Sequence, residues 1–278
     1  MNARDFLPPI AIAIARKILA GSGRKTYANY EAALADCTDP AYGSADVVEV
    51  VLRKTARYRD EISASGATRL TPANAFSLCG LLACAGPGET KVIDVGGACG
   101  AHYFLARALL PKSLRLRWVV VETPLMVERA AGVFASDELS FSADLESAIS
   151  SMDGIDLLHT SGTLQVVDRP YELLARIASA SARHLMFGRL GLTRGSRDVV
   201  AVHESWLSRN GPGPMPSGIQ DRKVRYPYVC IRESVFHETV RKNYDIVMTV
   251  DDDSGLIPVD GEVLVGGGIF ARLKSAHR

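Results

Sequence analysis

The sequence lacks an excess of charge of either sign. Its 32 lysine and arginine residues nearly balance 31 aspartate and glutamate residues, so the formal net charge is +1. Domains that bind DNA or RNA usually carry a basic excess or a basic face. The charge balance therefore predicts no nucleic-acid partner. The hydrophobic fraction of 47% and the charged fraction of 23% are close to the globular average and argue against wholesale disorder.

Cysteine is scarce and forms no recognisable pattern. The sequence contains no Cys-x-x-Cys pair and no histidine at zinc-ligand spacing from a cysteine. The five cysteines are Cys37, Cys79, Cys84, Cys99 and Cys230. The pattern predicts neither a disulfide framework nor a metal site.

A hydrophobic run long enough to cross a membrane is also absent. The most apolar N-terminal stretch, residues 6–14, contains Pro8 and Pro9 and is followed by Arg16 and Lys17. It is too short to span a bilayer and lacks a clean cleavage pattern, so we expect no transmembrane segment and a cytoplasmic protein. Residues 6–20 carry isoleucines on both faces of a predicted helix. That helix would pack on the main domain or contact a membrane surface or a second subunit.

The first 88 residues show no period-two alternation and are predicted to be a helical region. Valines at helical spacing predict one helix over residues 45–58. Thr71 is a suitable N-cap and Pro72 a suitable first residue for a further helix, which ends before Gly86. We expect this region, residues 1–88, to cover the substrate side of a second domain, residues 89–278.

From residue 89 onward, short runs of Val, Ile and Leu alternate with helix-length segments. This alternation predicts an α/β fold, a Rossmann-like, doubly wound sheet of seven mainly parallel strands that ends in an antiparallel pair. The predicted strands are residues 91–95, 117–121, 139–141, 156–160, 184–187, 244–250 and 262–272. The predicted helices are residues 101–110, 124–134, 145–151, 169–180 and 233–241. Residues 190–228 are predicted to be an irregular insertion.

A glycine-rich segment follows the first of these strands and carries the strongest functional signal. Asp94 and Val95 end a buried strand, and Gly96, Gly97, Ala98, Cys99 and Gly100 lead into a helix. Such a turn lets the backbone approach a ligand closely at the carboxyl edge of the sheet. Glu122 ends the next strand, so its carboxylate is expected at the same edge, where it could accept both hydroxyls of a ribose.

Two adenosine-containing cofactors use this arrangement. A dinucleotide such as NAD places its pyrophosphate over the glycines, where the Asp94 carboxylate would repel it. S-adenosylmethionine carries an ammonium and a sulfonium, which suit an acidic residue at the head of the loop. The residues therefore favour S-adenosylmethionine and leave NAD as the alternative.

In this segment the chain resembles the class I S-adenosylmethionine-dependent methyltransferases, whose first motif reads D-x-G-x-G-x-G. Asp94, Gly96 and Gly100 match that motif, whereas Ala98 replaces its central glycine and Gly97 is an additional one. The resemblance extends over residues 88–273, including the terminal antiparallel strand pair that distinguishes this fold from dinucleotide-binding sheets.

The resemblance implies roles for several further residues. Glu122 would hold the ribose, and Asp144 would meet the adenine amino group, although Asp144 is equally suited to cap the following helix. Ser161 and Gly162 would lie beside the cofactor. Tyr103 is expected to be a packing residue whose hydroxyl faces the cofactor pocket.

Residues of the acceptor side are predicted less directly. Gln165 stands where many small-molecule members of that family carry a histidine, and Arg189 follows the fifth strand, where it would bind an anionic substrate or pair with a carboxylate. His102 and His203 are the candidates for a general base. His159 lies within a strand and is expected to be a satisfied core residue.

A narrower resemblance covers nearly the whole chain. The segments Gly96-Gly97-x-x-Gly100-x-His102-Tyr103-Phe104 and Ser161-Gly162-Thr163-Leu164-Gln165 look like those of methyltransferases encoded in bacterial surface-polysaccharide gene regions. The sequence therefore predicts methyl transfer from S-adenosylmethionine to a small molecule, most simply a hydroxyl of a sugar or sugar-linked precursor. The alternatives are an NAD-dependent oxidoreductase and a scaffold that binds S-adenosylmethionine without turnover.

Overall fold

The computed structural model describes residues 25–37, 43–65, 70–86, 88–251 and 257–275. The predicted helix of residues 6–20 lies outside this part of the chain. No helix in the described part is both long enough and apolar enough to cross a membrane.

Helices and strands alternate over most of the described chain. The α-helices are α1 (Tyr30–Ala35), α2 (Ala45–Ser65), α3 (Pro72–Cys84), α4 (Ala101–Leu109), α5 (Pro124–Phe134), α6 (Leu145–Ser150), α7 (Pro170–Ser179) and α8 (Glu233–Asn243). The strands are β1 (Thr26–Tyr27), β2 (Glu89–Val95), β3 (Arg115–Val121), β4 (Leu139–Ser142), β5 (Leu157–Ser161), β6 (His184–Thr193), β7 (Val199–Trp206), β8 (Lys223–Arg232), β9 (Tyr244–Asp251), β10 (Ile257–Val259) and β11 (Glu262–Leu273). All seven predicted strands and all five predicted helices of the second domain are confirmed.

The main sheet has the order β4, β3, β2, β5, β6, β11, β9. The first five strands are parallel, β11 runs antiparallel to β6, and β9 runs antiparallel to β11. The fold class predicted from the sequence, a doubly wound sheet with a C-terminal antiparallel pair, is confirmed. Strand order reverses between β2 and β5, and ligands of open α/β sheets bind at the carboxyl ends of the strands beside such a reversal.

Both faces of the sheet are covered by helices. One hydrophobic cluster joins α2, α3, α4 and α5 to one face, and it includes Val51, Leu81, Trp118 and Val120. The other cluster joins α6, α7 and α8 to the opposite face. Strand β2 is buried from both sides, with Val92 and Ile93 fully inaccessible, which explains its continuous apolar run.

The helical N-terminal region largely follows the predicted pattern. Thr71 caps α3 by accepting a hydrogen bond from the backbone N–H of Asn74 across 3.2 Å, and Pro72 is the first helical residue. Helix α2 continues to Ser65, seven residues beyond the predicted 45–58.

The predicted irregular insertion is wrong for about half of residues 190–228, which lie in strands. Strand β6 continues to Thr193, and β7 and β8 form an antiparallel pair that extends the sheet beyond β6. A short parallel pairing of Leu192 and Thr193 with Ile231 and Arg232 attaches this pair. The glycine- and proline-rich segment between β7 and β8 is the part that remains irregular.

Candidate functional site

The glycine loop connects β2 to α4 at the reversal of strand order. Gly96 has a φ of 74° and Ala98 a φ of 51°, both in the left-handed region. A Cβ on Gly96 would overlap the Thr163 side chain, which donates its hydroxyl to the Val95 carbonyl across 3.1 Å. The turn after β5 therefore packs directly on the loop, and only glycine fits at position 96.

Glu122 lies beside this loop at the end of β3. Its Oε1 accepts a hydrogen bond from the Ala98 N–H at 3.1 Å, and its Oε2 accepts one from the Thr123 N–H at 2.8 Å. Burial raises the pKa of Glu122 and Asp94 adds to the rise, while the two backbone N–H groups lower it. The residue remains partly exposed.

Asp94 does not reach the ligand side of the loop. It is fully buried, and its two oxygens are 2.7 Å from His159 Nδ1 and 3.2 Å from His102 Nδ1. Burial opposes its ionisation, but the two histidines outweigh this effect and lower the pKa of Asp94. Asp94 therefore supports the loop, and an effect on a cofactor cation through water stays a prediction.

His159 continues this hydrogen-bond network into the N-terminal region. Its Nε2 is 3.0 Å from the Ser77 hydroxyl of α3, and its ring meets the His102 ring edge-on with centroids 4.7 Å apart. Because a carboxylate only accepts, each histidine presents Nδ1–H to Asp94. Burial lowers the pKa of His159, against the opposing effect of Asp94. The prediction that His159 is a satisfied core residue is confirmed.

The same three side chains are close enough to be considered as metal ligands. Their ligand atoms lie within 4.8 Å of one another. Each oxygen of Asp94, however, is at hydrogen-bond distance from a different imidazole. The second ring nitrogen of His159, Nε2, is hydrogen-bonded to the Ser77 hydroxyl. We therefore interpret the cluster as a hydrogen-bonded support for the loop.

Ser161 ends β5 and Gly162 follows it, next to the turn that contacts the glycine loop, and their place beside a cofactor stays a prediction. Ser161 is 5% exposed, and its hydroxyl and carbonyl oxygens accept hydrogen bonds from Arg189 at 2.9 and 2.7 Å. The Arg189 guanidinium lies against Gly162, where a Cβ would be 3.4 Å from it. Among the residues that the structure describes, no carboxylate lies at ion-pair distance from Arg189.

Gln165 is almost fully buried and does not line an open space. Its side-chain N–H donates to the Arg189 carbonyl and, across 3.3 Å, to the Tyr228 hydroxyl. Its Oε1 is buried without a hydrogen-bond partner in the described ranges. Gln165 thus supports Arg189 and joins it to β8.

His203 lies on strand β7, in the extension of the sheet. It is exposed, and its ring centroid is 5.1 Å from that of Tyr226 and 5.6 Å from that of Tyr228. These contacts follow from the register, in which His203 pairs with Tyr226. His203 and Gln165 therefore both contact Tyr228. His102 lies in a separate cluster with Asp94.

Two predicted cofactor residues have other partners. Asp144 caps α6 by accepting from the Ser147 N–H at 3.1 Å, so the capping role is confirmed and the adenine contact stays a prediction. The Tyr103 hydroxyl donates to Glu138 across 2.9 Å, directly before β4. Tyr103 is a core packing residue, as expected, and a role of its hydroxyl at the cofactor stays a prediction.

Sequence patterns missed the roles of Ser77 and Thr163. Each contacts the site across a long stretch of chain, as Ser77 does with His159, 82 residues away. A Ser, Thr or Tyr has no local pattern that distinguishes such a partner. The exception is Thr163, whose position directly after Gly162 placed it next to a predicted site residue.

Comparison with known proteins gives a likeness of fold only. No family model matches the chain, and no curated protein matches it. A structure of the N-terminal domain of EvdMO1 in the presence of SAH and D-fucose has 16% sequence identity, covering 80% of this chain and 97% of that chain, with a TM-score of 0.45. An S-adenosylmethionine-dependent methyltransferase from Clostridium acetobutylicum has 12% identity, 80% and 99% coverage and a TM-score of 0.46.

Human N-acetylserotonin methyltransferase in complex with SAM has 15% identity, covers 81% of this chain and 58% of that chain, and has a TM-score of 0.41. Similarities of this size carry no argument about function. The narrower resemblance to proteins of polysaccharide gene regions gains no support from them and stays a prediction.

Proposed function

We propose that this protein transfers a methyl group from S-adenosylmethionine to a hydroxyl of a small molecule. The observation that carries the proposal is the position of antiparallel β11 between β6 and β9, in a sheet whose strand-order reversal holds the glycine loop and Glu122. Dinucleotide-binding sheets continue with parallel strands in the order 3-2-1-4-5-6. Because a fold does not determine a function, the cofactor must be identified by measuring binding directly.

The residues at the loop fit an adenosyl cofactor. Gly96 allows the tight turn of the loop, and the Glu122 carboxylate is held beside the loop by two N–H donors. Glu122 would accept the two ribose hydroxyls, and Asp144, 53% exposed at the side chain, retains access to an adenine amino group.

Asp94 no longer helps to choose between the cofactors. The carboxylate is fully buried beneath the loop and its oxygens accept hydrogen bonds from two imidazoles, so it does not touch a group bound over the glycines. The topology of the sheet is therefore the remaining argument against NAD. An oxidoreductase is the outcome to expect if NAD proves to be the ligand.

S-adenosylmethionine supplies a methyl group on a sulfonium, a good leaving group, so alignment of the acceptor provides much of the acceleration. A hydroxyl acceptor must also lose its proton. His102 suits this role because Asp94 accepts from Nδ1–H, which leaves the lone pair on Nε2. The side chain of His102 is 18% exposed.

A panel of ligands tests the proposal. Thermal unfolding is measured with S-adenosylmethionine, S-adenosylhomocysteine and NAD, each at about 100 times the expected dissociation constant, which stabilises a binding protein by about 2.7 kcal/mol. We expect a shift with both adenosyl ligands and none with NAD. A shift with NAD alone would establish the oxidoreductase alternative.

Transfer itself is followed with labelled S-adenosylmethionine and fractionated glycans, nucleotide sugars and RNA. We expect label in a sugar-containing fraction. Binding of S-adenosylhomocysteine without any labelled product would instead support a scaffold without turnover, and label in RNA alone would refute a small-molecule acceptor.

A further inference from the structure

Arg189 adopts a backbone conformation that is unusual for a residue with a side chain. Its φ is 48°, within strand β6, where neighbouring residues are extended. A left-handed conformation crowds the Cβ against the backbone and persists only where the surrounding structure enforces it. Such strained positions cluster at ligand-binding sites, so the strain at Arg189 indicates that its side chain has a binding role.

Three neighbours hold Arg189 in this conformation. The buried Gln165 amide donates to its carbonyl oxygen. Ser161 accepts from Nε and Nη2 of the guanidinium, and Gly162 provides the flat surface on which the guanidinium lies. The arginine is therefore positioned by the carboxyl end of β5 rather than free to move in solvent.

The guanidinium keeps unused donors in this arrangement. Two of its five N–H groups are directed at Ser161, and within the described ranges the others meet no protein acceptor. By contrast, Arg197 pairs with Asp260 at 2.7 Å and Arg194 with Glu233 at 3.2 Å. A tethered, exposed arginine with a free N–H edge is suited to bidentate binding of a carboxylate or a phosphate.

Arg189 lies next to the glycine loop and to an aromatic surface. The turn that follows Gly162 touches the loop through Thr163, whose hydroxyl binds the Val95 carbonyl. On the other side, Gln165 contacts the Tyr228 hydroxyl, and Tyr228 packs beside His203. Aromatic side chains with polar tips can pack on the face of a sugar ring while they hydrogen-bond its hydroxyls.

We propose that Arg189 binds a carboxylate or phosphate group of the methyl acceptor, so that the acceptor is an anionic sugar rather than a neutral one. This inference rests on the proposed methyl transfer for the position of the acceptor. The charge is recognised by the N–H edge of Arg189, and the sugar ring faces Tyr228 and His203.

Binding of three sugars to the full-length protein saturated with S-adenosylhomocysteine tests the inference. The probes are methyl glucuronide, which carries a carboxylate, glucose 1-phosphate, and the neutral methyl glucoside. Calorimetry should show that at least one anionic sugar binds ten times more tightly than methyl glucoside. The comparison of the two anionic sugars identifies which charged group is preferred.

Substitutions at Arg189 assign this preference to the residue. Arg189→Gln should abolish it, and Arg189→Lys should keep the charge but lose part of the preference because lysine lacks the planar N–H edge. Arg115, exposed at the opposite edge of the sheet at the start of β3, provides the matched control Arg115→Gln, which should keep the full preference. Thermal unfolding confirms that each variant is folded.

The outcomes separate this inference from the proposed function. Equal binding of the three sugars, no binding by either anionic sugar, or a preference that survives Arg189→Gln overturns the anionic acceptor while methyl transfer stands. Failure of the wild-type protein to bind S-adenosylhomocysteine overturns the proposed function itself, and with it the basis of this inference.

Discussion

The backbone N–H of Ala98 donates to the carboxylate of Glu122 across 3.1 Å, and it can do so because Ala98 has a left-handed backbone. Residues with a Cβ occupy this region at a cost of about 1 to 2 kcal/mol, which glycine avoids. The alanine in place of the usual glycine therefore keeps the geometry of the loop and adds strain to it.

We expect Ala98→Gly to stabilise the protein slightly. Relief of the backbone strain stabilises the folded state. Glycine also makes the unfolded chain more flexible, which cancels about 0.4 to 1 kcal/mol of this stabilisation but not all of it. The free energy of unfolding in urea measures the change. As a control, Ala131→Gly within α5 should destabilise by about 0.5 to 1 kcal/mol. A similar loss at both positions would contradict the strain at Ala98.

Gly96→Ala should destabilise the protein for two reasons, the strained backbone conformation and a steric overlap. Its φ of 74° disfavours a side chain, and the new Cβ would overlap Thr163. Gly213 has a φ of 76° with open space around it, so Gly213→Ala measures the backbone effect alone. We expect the loss at Gly96 to be larger, and Thr163→Ala to recover at least about 0.5 kcal/mol of it in a double-mutant cycle. Additive effects would show that the two residues do not touch.

Glu122→Ala should weaken binding of S-adenosylhomocysteine at least tenfold. A hydrogen bond to a charged group contributes about 1.5 to 3 kcal/mol, and the carboxylate would accept two from the ribose. Titration calorimetry measures the affinity. Glu128→Ala, on an exposed position of α5, is the control and should change the affinity less than twofold. A loss below twofold at Glu122 would remove it from the ribose site.

His102→Ala should lower kcat about 100-fold or more, the usual contribution of a positioned base, and leave affinity for S-adenosylhomocysteine within threefold. His203→Ala should have a smaller effect on kcat, because Asp94 orients the ring of His102 through a hydrogen bond to Nδ1. Steady-state kinetics and calorimetry on the same preparations separate the two quantities. Full activity in the double variant would show that alignment alone carries the transfer.

The stability of the protein should fall as the pH drops below about 6.5. Burial lowers the pKa of His159, so the unfolded chain takes up a proton there that the folded chain resists. Each such proton changes the free energy of unfolding by up to about 1.4 kcal/mol per pH unit, in the direction of lower stability at lower pH. Urea unfolding at pH 7, 6 and 5 measures the slope.

The variant His159→Gln isolates this effect, because it keeps a donor for Asp94 and cannot titrate. Its slope between pH 7 and pH 5 should be shallower than that of the wild type. Burial also lowers the pKa of His237, and that contribution is present in both proteins. Identical slopes would show that His159 does not resist protonation in the folded state.

The strands of the main sheet could be predicted because burial on both faces leaves a direct mark on the sequence. In β2, six of seven residues are shielded at least in part, so its apolar run stands out from its surroundings. Strands β7 and β8 leave a weaker mark. Strand β7 begins with four apolar residues and continues with His, Glu and Ser, and Pro227 lies within β8, a residue that argues against a strand unless it is at a bulge or an edge.

The site could be predicted as a set of positions but not as a set of contacts. Glu122 was placed correctly because the end of a parallel strand fixes the edge on which a residue lies. Asp94 satisfied the same rule, yet its side chain points to His159, whose position 65 residues away has no pattern linking it to Asp94. Alternation along a strand decides which face a side chain takes, and β2 is apolar on both faces.

The hydrophobic cluster shared by the N-terminal helices and the sheet limits how the chain can be divided. Val51 of α2 and Leu81 of α3 belong to the same cluster as Trp118 and Val120 of β3, and all four are at most 3% exposed. A chimera joined at residue 88, with helices taken from a related protein, would pack side chains of different size and shape against this face of the sheet. Exchange of these helices between relatives would therefore keep a stable fold only if the facing positions of the strands were transplanted with them.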